Sequence, residues 1–326
     1  MVLVSPVQSK RSVFENFQRI NLLGCDGTDS NIPADENDVD SFVSYGSKNG
    51  GYYQNHTVAV YDLLEKRYLD AIIQPRGTID EQDACIQMVD RNPLVGSCLY
   101  VADRGFFGFN LIAHILEQHQ FFLIRAKEVQ AANSPFKDIF LPDIDEYDIP
   151  IEFVLSRSRK KQDQESNWKF LPSTHKFDFI PKDDFKSKYM MAFRLVKIKI
   201  GEDKFEYLIT NLPDSKFLLT DLKDLYHLRW KIETSFLFLK YGIAMNYFHS
   251  VRRDFIEQEI IAKLILSNYP DDFAECFAVF KKMIPPCEQI PYVLQTSEDY
   301  QEKRLRHDLT GVREKDPGMS INEKRK

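Results

Sequence analysis

Hydrophobic and polar positions predict alternating strands and helices in the first half of the chain. The apolar run INLLGCDG at 20–27 ends in Asp-Gly, which suits a buried strand. Residues 56–75 form two strand-like runs around a polar turn at Glu65–Lys66, a pattern typical of a hairpin. A third apolar run, CLYVADRGF at 98–106, again ends in an Asp that is followed shortly by Gly.

Helical segments separate these strands. Residues 79–93, IDEQDACIQMVDRNP, carry acidic residues in the first turn and end at a proline, as helices often do. The segment 108–120 also has a helical pattern, and FFLIRA at 121–126 predicts the next strand. Strands that alternate with helices after an antiparallel start indicate a mixed α/β sheet.

The pattern changes between 128 and 220, where charged loops lead into a predicted hairpin that closes at Gly201–Glu202. We expect a β-rich insertion there. A long helix is predicted from Asp221 and a second one at Phe255–Ser267. The predicted domains are therefore a first part of the core (1–127), the insertion subdomain (128–220), a helical completion of the core (221–300) and a charged, flexible tail (301–326).

The segment YHLRWKIETSFLFLK within the long helix places four functional side chains on one stripe. At about 100° per residue, Tyr226, Arg229, Glu233 and Lys240 lie within a wedge of about 60°, with apolar residues on both flanks. We expect Trp230, on one flank, to pack in the core rather than stack on a base. An ionised Glu between apolar walls needs a cationic partner, and Arg229 could supply it in a structural salt bridge.

That salt bridge explains only two of the four residues, because Lys240 lies too far along the helix to pair with Glu233. A phosphodiester backbone fits the stripe better, with the cations on phosphates and the Glu on a metal ion. One carboxylate cannot hold two divalent ions, so Asp26 and Asp103, at the two predicted strand ends, are the candidate partners. Either one alone is more typical of a turn.

The polar loop after the first strand contains three acids that we interpret as solvated: Asp29, Asp35 and Asp40.

Composition and charge leave this chemistry open. Hydrophobic residues make up 43% and charged residues 28% of the 326 residues, as in ordinary globular proteins. Because no apolar run approaches the roughly 18 residues of a membrane span, we expect a cytoplasmic protein. The net charge of −6 does not exclude a polyanion, since Lys and Arg outnumber Asp and Glu twofold between 150 and 200. The RSRKK run at 157–161 is either a basic patch or a solvated face.

The cysteines and histidines suggest no site. The five cysteines are widely spaced, without a CxxC pair, so neither a zinc site nor a disulfide framework is predicted. We interpret them as reduced thiols. The seven histidines show no ligand spacing and receive no role. The cysteines are Cys25, Cys85, Cys98, Cys276 and Cys287.

The chain resembles the insertion-sequence-4 family of DDE transposases. The segments LLGCDGTDSNIP around Asp26 and YVADRGF around Asp103 are similar to the family's two Asp-bearing strands. FHS at 248–250 and EIIAKLILSNY at 259–269 resemble the segment after its signature, and the resemblance covers about 15–270. The stripe itself resembles the family's Y-R-E-K signature, in the form Tyr226-x2-Arg229-x3-Glu233-x6-Lys240.

This resemblance implies an RNase H-like core, a mixed sheet flanked by helices, interrupted by the β-rich insertion between the second Asp and the Glu. The implied activity is metal-dependent DNA strand cleavage and strand transfer in cut-and-paste transposition, through a hairpin end. The implied partners are double-stranded transposon ends and target DNA, bound by a homodimer, with no membrane and no small-molecule cofactor. The implied catalytic and metal ligands are Asp26, Asp103 and Glu233, holding two Mg²⁺ ions for which Mn²⁺ can substitute, and the implied DNA contacts are Tyr226, Arg229 and Lys240.

Two alternatives remain open. Members of the family carry roughly a hundred further residues before the first Asp, so the chain could be a truncated or domesticated descendant that binds DNA without catalysing transposition. A helical interaction protein that docks through 221–267 is the other alternative. It predicts that Asp26, Asp103 and Glu233 lie far apart.

Overall fold

The computed structural model describes residues 20–269, apart from 47–49, 127–128, 130, 132–133, 138, 160–166 and 203. The described residues form one sheet of ten strands, with helices on both of its faces. The strands are β1 (Ile20–Ile32), β2 (Phe42–Ser44), β3 (Gly51–Asp62), β4 (Arg67–Pro75), β5 (Ser97–Ala102), β6 (Phe121–Arg125), β7 (Tyr147–Ser156), β8 (Trp168–Phe170), β9 (Lys188–Gly201) and β10 (Lys204–Thr210). The helices are α1 (Glu81–Asp90), α2 (Phe109–Glu117), α3 (Leu219–His227), α4 (Trp230–Leu237) and α5 (Arg253–Ser267).

The strand order is β4-β3-β1-β5-β6-β10-β9-β7-β8, with β2 paired to the beginning of β3. Strands β1, β5 and β6 run parallel, and α1 and α2 are the helices along the connections that lead into β5 and β6. Because parallel strands end at the same edge of a sheet, residues that follow β5 lie beside the matching part of β1. This register sets the position of the candidate site.

Two hydrophobic cores cover the two faces of the sheet. Odd-numbered β1 residues such as Cys25 face the first core, under α1 and α2. Even-numbered residues such as Leu22 face the second core, under α3, α4 and α5. The sheet therefore separates two environments, and neighbouring β1 residues point into different ones.

The predicted strands and helices of the first half are confirmed, but β1 is longer than expected. Its parallel partner β5 ends opposite Cys25, whereas β3 continues to pair with β1 as far as Ile32. Asp26 therefore lies within β1 rather than at its end. The first part of the predicted polar loop, as far as Ile32, belongs to this strand, and Asp29, expected to be solvated, pairs with His56.

The predicted single long helix is wrong in detail, because the helical segment changes geometry twice. Around Leu228 and Arg229 the hydrogen bonds tighten to the i to i−3 pattern, as from the Arg229 amide to the Tyr226 carbonyl at 3.0 Å. From Phe238 to Gly242 the helix widens into a π turn. The constant 100° per residue that placed the four side chains on one stripe therefore does not hold along the segment.

The expectation that Trp230 packs in the core is also wrong. Trp230 is 44% exposed, and Leu237 and Tyr241 on the same flank are exposed as well. Only the opposite flank, with Ile232 and Phe236, faces the sheet. A short helix on one layer of a three-layer fold has a single apolar contact surface, so the second flank remains at the surface.

The strands from the predicted insertion are continuous with the rest of the sheet. The hairpin of β9 and β10 is confirmed, and β10 hydrogen-bonds to β6 through Leu208, Ile209 and Thr210. The first core also continues beneath it, through Phe153 and Phe193. The 128–220 segment thus extends the sheet on which the site lies.

Cys25, Cys85 and Cys98 are free and buried, as predicted, whereas Cys276, Cys287 and the charged 301–326 tail lie outside the described residues. Within 20–269, none of the described helices has the length and apolar character needed to cross a bilayer.

The single buried flank of α4 gives a direct test of the fold. Ile232 is fully buried in the second core, so Ile232→Ala should lower the free energy of unfolding by about 2–5 kcal/mol. Leu237→Ala, on the exposed flank of the same helix, should change it by less than about 0.5 kcal/mol. Urea denaturation of both variants measures the difference, and equal losses would contradict this placement of α4.

Candidate active site

A cavity of about 350 Å³ lies between β1 and α4, at the edge where β5 ends. We call it the carboxylate pocket. Acidic and basic side chains share this space with the apolar side chains of α4. Its lining residues are Asp26, Gly27, Thr28, Glu233, Phe236, Leu237 and Lys240.

Asp26 enters this pocket from the sheet face that carries the second core. Its Oδ1 accepts a hydrogen bond from the Gly27 amide at 2.9 Å, and its Oδ2 lies 3.5 Å from Nη1 of Arg229. Burial, together with the smaller effects of the Glu233 and Asp103 charges, raises the pKa of Asp26 to about 6, against the lowering effect of these two partners. Asp26 is therefore a carboxylate that needs more positive charge than its surroundings supply.

Arg229 is the cation that partly compensates the negative charge of Asp26. Its Nη1 also lies 2.7 Å from Oε1 of Glu233, so one guanidinium bridges two of the predicted acids. The side chain is only 7% exposed, and its guanidinium carbon lies 5.6 and 5.3 Å from the ring centres of Tyr226 and Trp230. The salt bridge considered from the sequence is present, and it extends to Asp26.

Asp103 follows β5 directly, as predicted. In the parallel register Ala102 lies opposite Cys25, so Asp103 lies next to Asp26 at the sheet edge. Its side chain turns back and accepts a hydrogen bond from the Gly105 amide at 2.5 Å. Asp103 does not line the pocket itself, but its charge acts on Asp26. Asp26 and Glu233 thus share Arg229, and Asp103 is close enough for its charge to act on Asp26, which disfavours the wide separation expected for a helical interaction protein.

The three predicted DNA contacts lie in different environments. Lys240 lines the carboxylate pocket, and Arg229 lies between the acids. Tyr226 is 3% exposed in the second core, and its hydroxyl has no hydrogen-bond partner among the described residues. Tyr226 nevertheless lies near the acids' cation, since the Arg229 guanidinium carbon is 5.6 Å from its ring centre.

Sequence reasoning missed His56, which lies behind the pocket in a cluster with Asp29 and Glu81. Nδ1 of His56 lies 2.7 Å from Asp29, and Nε2 lies 2.8 Å from Glu81. Its sequence context offered no clear signal, because His56 lies within the polar run QNHT at 54–57 and its partners are distant along the chain.

A family model described as the transposase DDE domain matches residues 25–269. The chain belongs to this family. The match spans Asp26, Asp103 and Glu233, and it does not by itself identify the insertion-sequence-4 branch or assign any residue.

One solved structure similar to this transposase DDE domain is the piggyBac transposase synaptic complex with hairpin DNA. The identity is 13% and the TM-score is 0.45, with 97% of this chain and 64% of that chain covered. The chain thus spans less than two thirds of that protein's length. No curated protein matches the chain.

The close packing behind Asp26 makes Gly27 a sensitive position in this transposase DDE domain. A Cβ at residue 27 would lie 2.4 Å from Nε2 of His56 and 2.7 Å from Oε1 of Glu81. Gly27→Ala should therefore lower the free energy of unfolding by about 1–3 kcal/mol, because the charged cluster must shift.

Gly201→Ala is the matched control, since a Cβ there meets only side-chain carbons at 3.5 Å or more. Its effect should be within about 0.5 kcal/mol. Thermal or urea unfolding of the two variants measures both values, and a tolerated Gly27→Ala would show that the His56 cluster is not packed against β1.

Proposed function

We propose that the chain is the catalytic domain of a cut-and-paste DNA transposase, which cleaves DNA strands at transposon ends and transfers them. Asp26, Asp103 and Glu233 are its proposed catalytic acids. The observation that supports this most is that Asp26 and Glu233 line one pocket and share Arg229, while Asp103, which follows the neighbouring strand, acts on Asp26 through its charge. Double-stranded DNA is the proposed substrate, bound by a homodimer.

The proposed branch is the insertion-sequence-4 family, and the proposed core is RNase H-like. The strand order β4-β3-β1-β5-β6, with an antiparallel start and parallel β1, β5 and β6, supports an RNase H-like core. We propose 1–127 and 221–300 as the two parts of this core and 128–220 as the β-rich insertion. The order of β10, β9, β7 and β8 supports an insertion that prolongs the sheet.

The residues of the site fit divalent ions such as Mg²⁺ or Mn²⁺. Carboxylate oxygens are the ligands that these ions prefer. The acids raise the pKa of Asp26, and a cationic group already lies between Asp26 and Glu233. Asp26, Asp103 and Glu233 would hold the ions, although the described residues contain no ready-made group of three metal ligands. Arg229 must release at least one carboxylate for this to occur.

When bound, such ions activate water or a DNA 3′-hydroxyl for attack and stabilise the leaving oxygen. The chain's own residues bind and orient the DNA. Lys240 can hold a phosphate beside the acids. Arg229, once released from Glu233, can hold another, and the exposed Trp230 ring lies beside it.

A descendant that binds DNA without cutting it is the second candidate. The ion pairs of Arg229 with both Asp26 and Glu233 favour it, because they occupy the carboxylate oxygens that metal ions would need. Metal-dependent cleavage by the purified protein separates the two candidates.

Glu233→Gln tests the catalytic proposal. It keeps the shape of the side chain but removes an anionic ligand, so Mg²⁺-dependent nicking of DNA carrying transposon ends should fall by at least about a hundredfold. Asp224→Asn, an exposed acid on α3, should leave nicking unchanged. Equal nicking by parent and Glu233→Gln protein would remove the proposal, and absence of nicking in the parent would favour the binding-only descendant.

Arg229→Gln tests whether the guanidinium competes with metal ions. Without it, Mn²⁺ should bind the acids about tenfold more tightly, equivalent to about 1.4 kcal/mol. The metal-free protein should melt at a lower temperature, because two partly buried carboxylates lose their cation. Calorimetric Mn²⁺ titration and thermal unfolding in chelator measure both effects.

Arg252→Gln is the matched control, since Arg252 is 65% exposed and pairs only locally with Asp254. It should alter neither quantity. Weaker Mn²⁺ binding by Arg229→Gln would show that Arg229 supports the metal site instead of competing with it.

A further inference from the structure

A second charge cluster, built around a buried histidine, lies on the opposite face of the sheet from the carboxylate pocket. His56 on β3 is 6% exposed, and both ring nitrogens face carboxylates, Asp29 at 2.7 Å and Glu81 at 2.8 Å. Burial by itself lowers the pKa of His56, but its contacts with the two acids raise it to about 9. The ring is therefore a cation at neutral pH, and the proposed reaction makes no use of it.

This cluster joins three elements that carry the site. Asp29 lies on β1, directly opposite His56 in the antiparallel register, and three residues after Asp26. Glu81 is the first residue of α1. The hydrogen bond to Asp29 and the ion-pair contact to Glu81 thus hold the first turn of α1 against the strand that carries Asp26.

The first turn of α1 in turn holds the loop that follows Asp103. Nε2 of Gln82 donates to the carbonyl oxygens of Gly105 at 3.0 Å and Phe107 at 3.3 Å. Gly105 lies between two carboxylates, since a Cβ there would be 3.0 Å from Oδ1 of Asp103 and 3.5 Å from Oε2 of Glu81. The position of Asp103 therefore depends on where Glu81 and Gln82 lie.

Charge balance makes the imidazolium necessary for this arrangement. Without it, the partly exposed Asp29 and Glu81 would lie close together, and Arg76, 3.8 Å from Asp29, would be the cation that remains in ion-pair range among the described residues. The Glu81 carboxylate would then repel both Asp29 and Asp103. Moving Glu81 away would carry the Gln82 amide and the loop with it.

We propose that His56 is a positioning residue for the carboxylate pocket, which acts through Glu81 and the first turn of α1 to hold Asp103 beside Asp26. The inference rests on the proposed function in treating Asp103 as a metal ligand. The cluster also packs directly against Gly27, the residue after Asp26, so His56 can influence the position of Asp26 as well.

The matched control is His114 on α2, which has the same chemistry at a different place. Its Nδ1 lies 2.9 Å from Asp90 and its Nε2 3.0 Å from Asp178, and its side chain is 13% exposed. None of these residues lines the carboxylate pocket. His114→Gln therefore removes a comparable bridge between two acids at the last residue of α1, and leaves the contacts of Glu81 and Gln82 in place.

The experiment compares the full-length parent, His56→Gln and His114→Gln by hydrogen exchange of the 103–108 segment without metal, and by Mn²⁺ titration. His56→Gln should speed exchange in 103–108, where the Gly105 amide bonds to Asp103, and weaken Mn²⁺ binding by about tenfold or more. In DNA cleavage it should lower kcat by a similar factor and leave KM for DNA within about twofold. His114→Gln should change none of these quantities.

Equal effects of the two variants, or no change in exchange with His56→Gln, would overturn the inference. Should His56→Gln not fold, Glu81→Ala breaks the same link while the His56–Asp29 pair remains, and it must give the same changes. If the parent binds no Mn²⁺, the proposed function fails, whereas the exchange comparison still decides whether His56 positions the loop. If the parent binds and cleaves but His56→Gln behaves like the parent, only the inference fails.

Discussion

The site depends on one buried guanidinium held between two carboxylates. Arg229 contacts Asp26 on the sheet and Glu233 on the helix, and so connects two layers of the fold through charge. Placing Asp26 in an apolar environment is costly unless a cation meets it, as the raised pKa of that side chain shows. The same requirement for positive charge is what would draw divalent ions to these acids. Metal binding would therefore use the same oxygen atoms as the structural ion pairs.

The sheet carries a second cation on its other face. His56 neutralises Asp29 and Glu81 behind Gly27, while Arg229 neutralises Asp26 and Glu233 in front of it. Only a residue without a side chain fits between the two clusters at this point of β1. A concentration of acids at one sheet edge can persist in a folded protein because each face supplies its own internal cation.

Features that depend on neighbouring residues were predicted correctly from the sequence, whereas features that depend on contacts between distant segments were not. Apolar runs and turn residues predicted β1, β3, β4, β5 and the β9–β10 hairpin, since these patterns reflect local burial. They did not predict that β1 continues through Asp29, because that depends on pairing with β3. Helical spacing brought Arg229 and Glu233 together correctly, one turn apart. It failed for Trp230, because only one flank of the helix meets the sheet.

By itself, the sequence determined the element types and the membership in the transposase DDE domain family. It also singled out Asp26, Asp103 and Glu233 as candidate residues of one site. Hydrophobic periodicity and short motifs carry that information within a few residues of the chain. Only the tertiary structure decided which face each acid occupies, that Arg229 lies between two of them, and that His56 meets Asp29 and Glu81 behind them. Those contacts depend on strand register and helix packing between segments that are far apart along the chain.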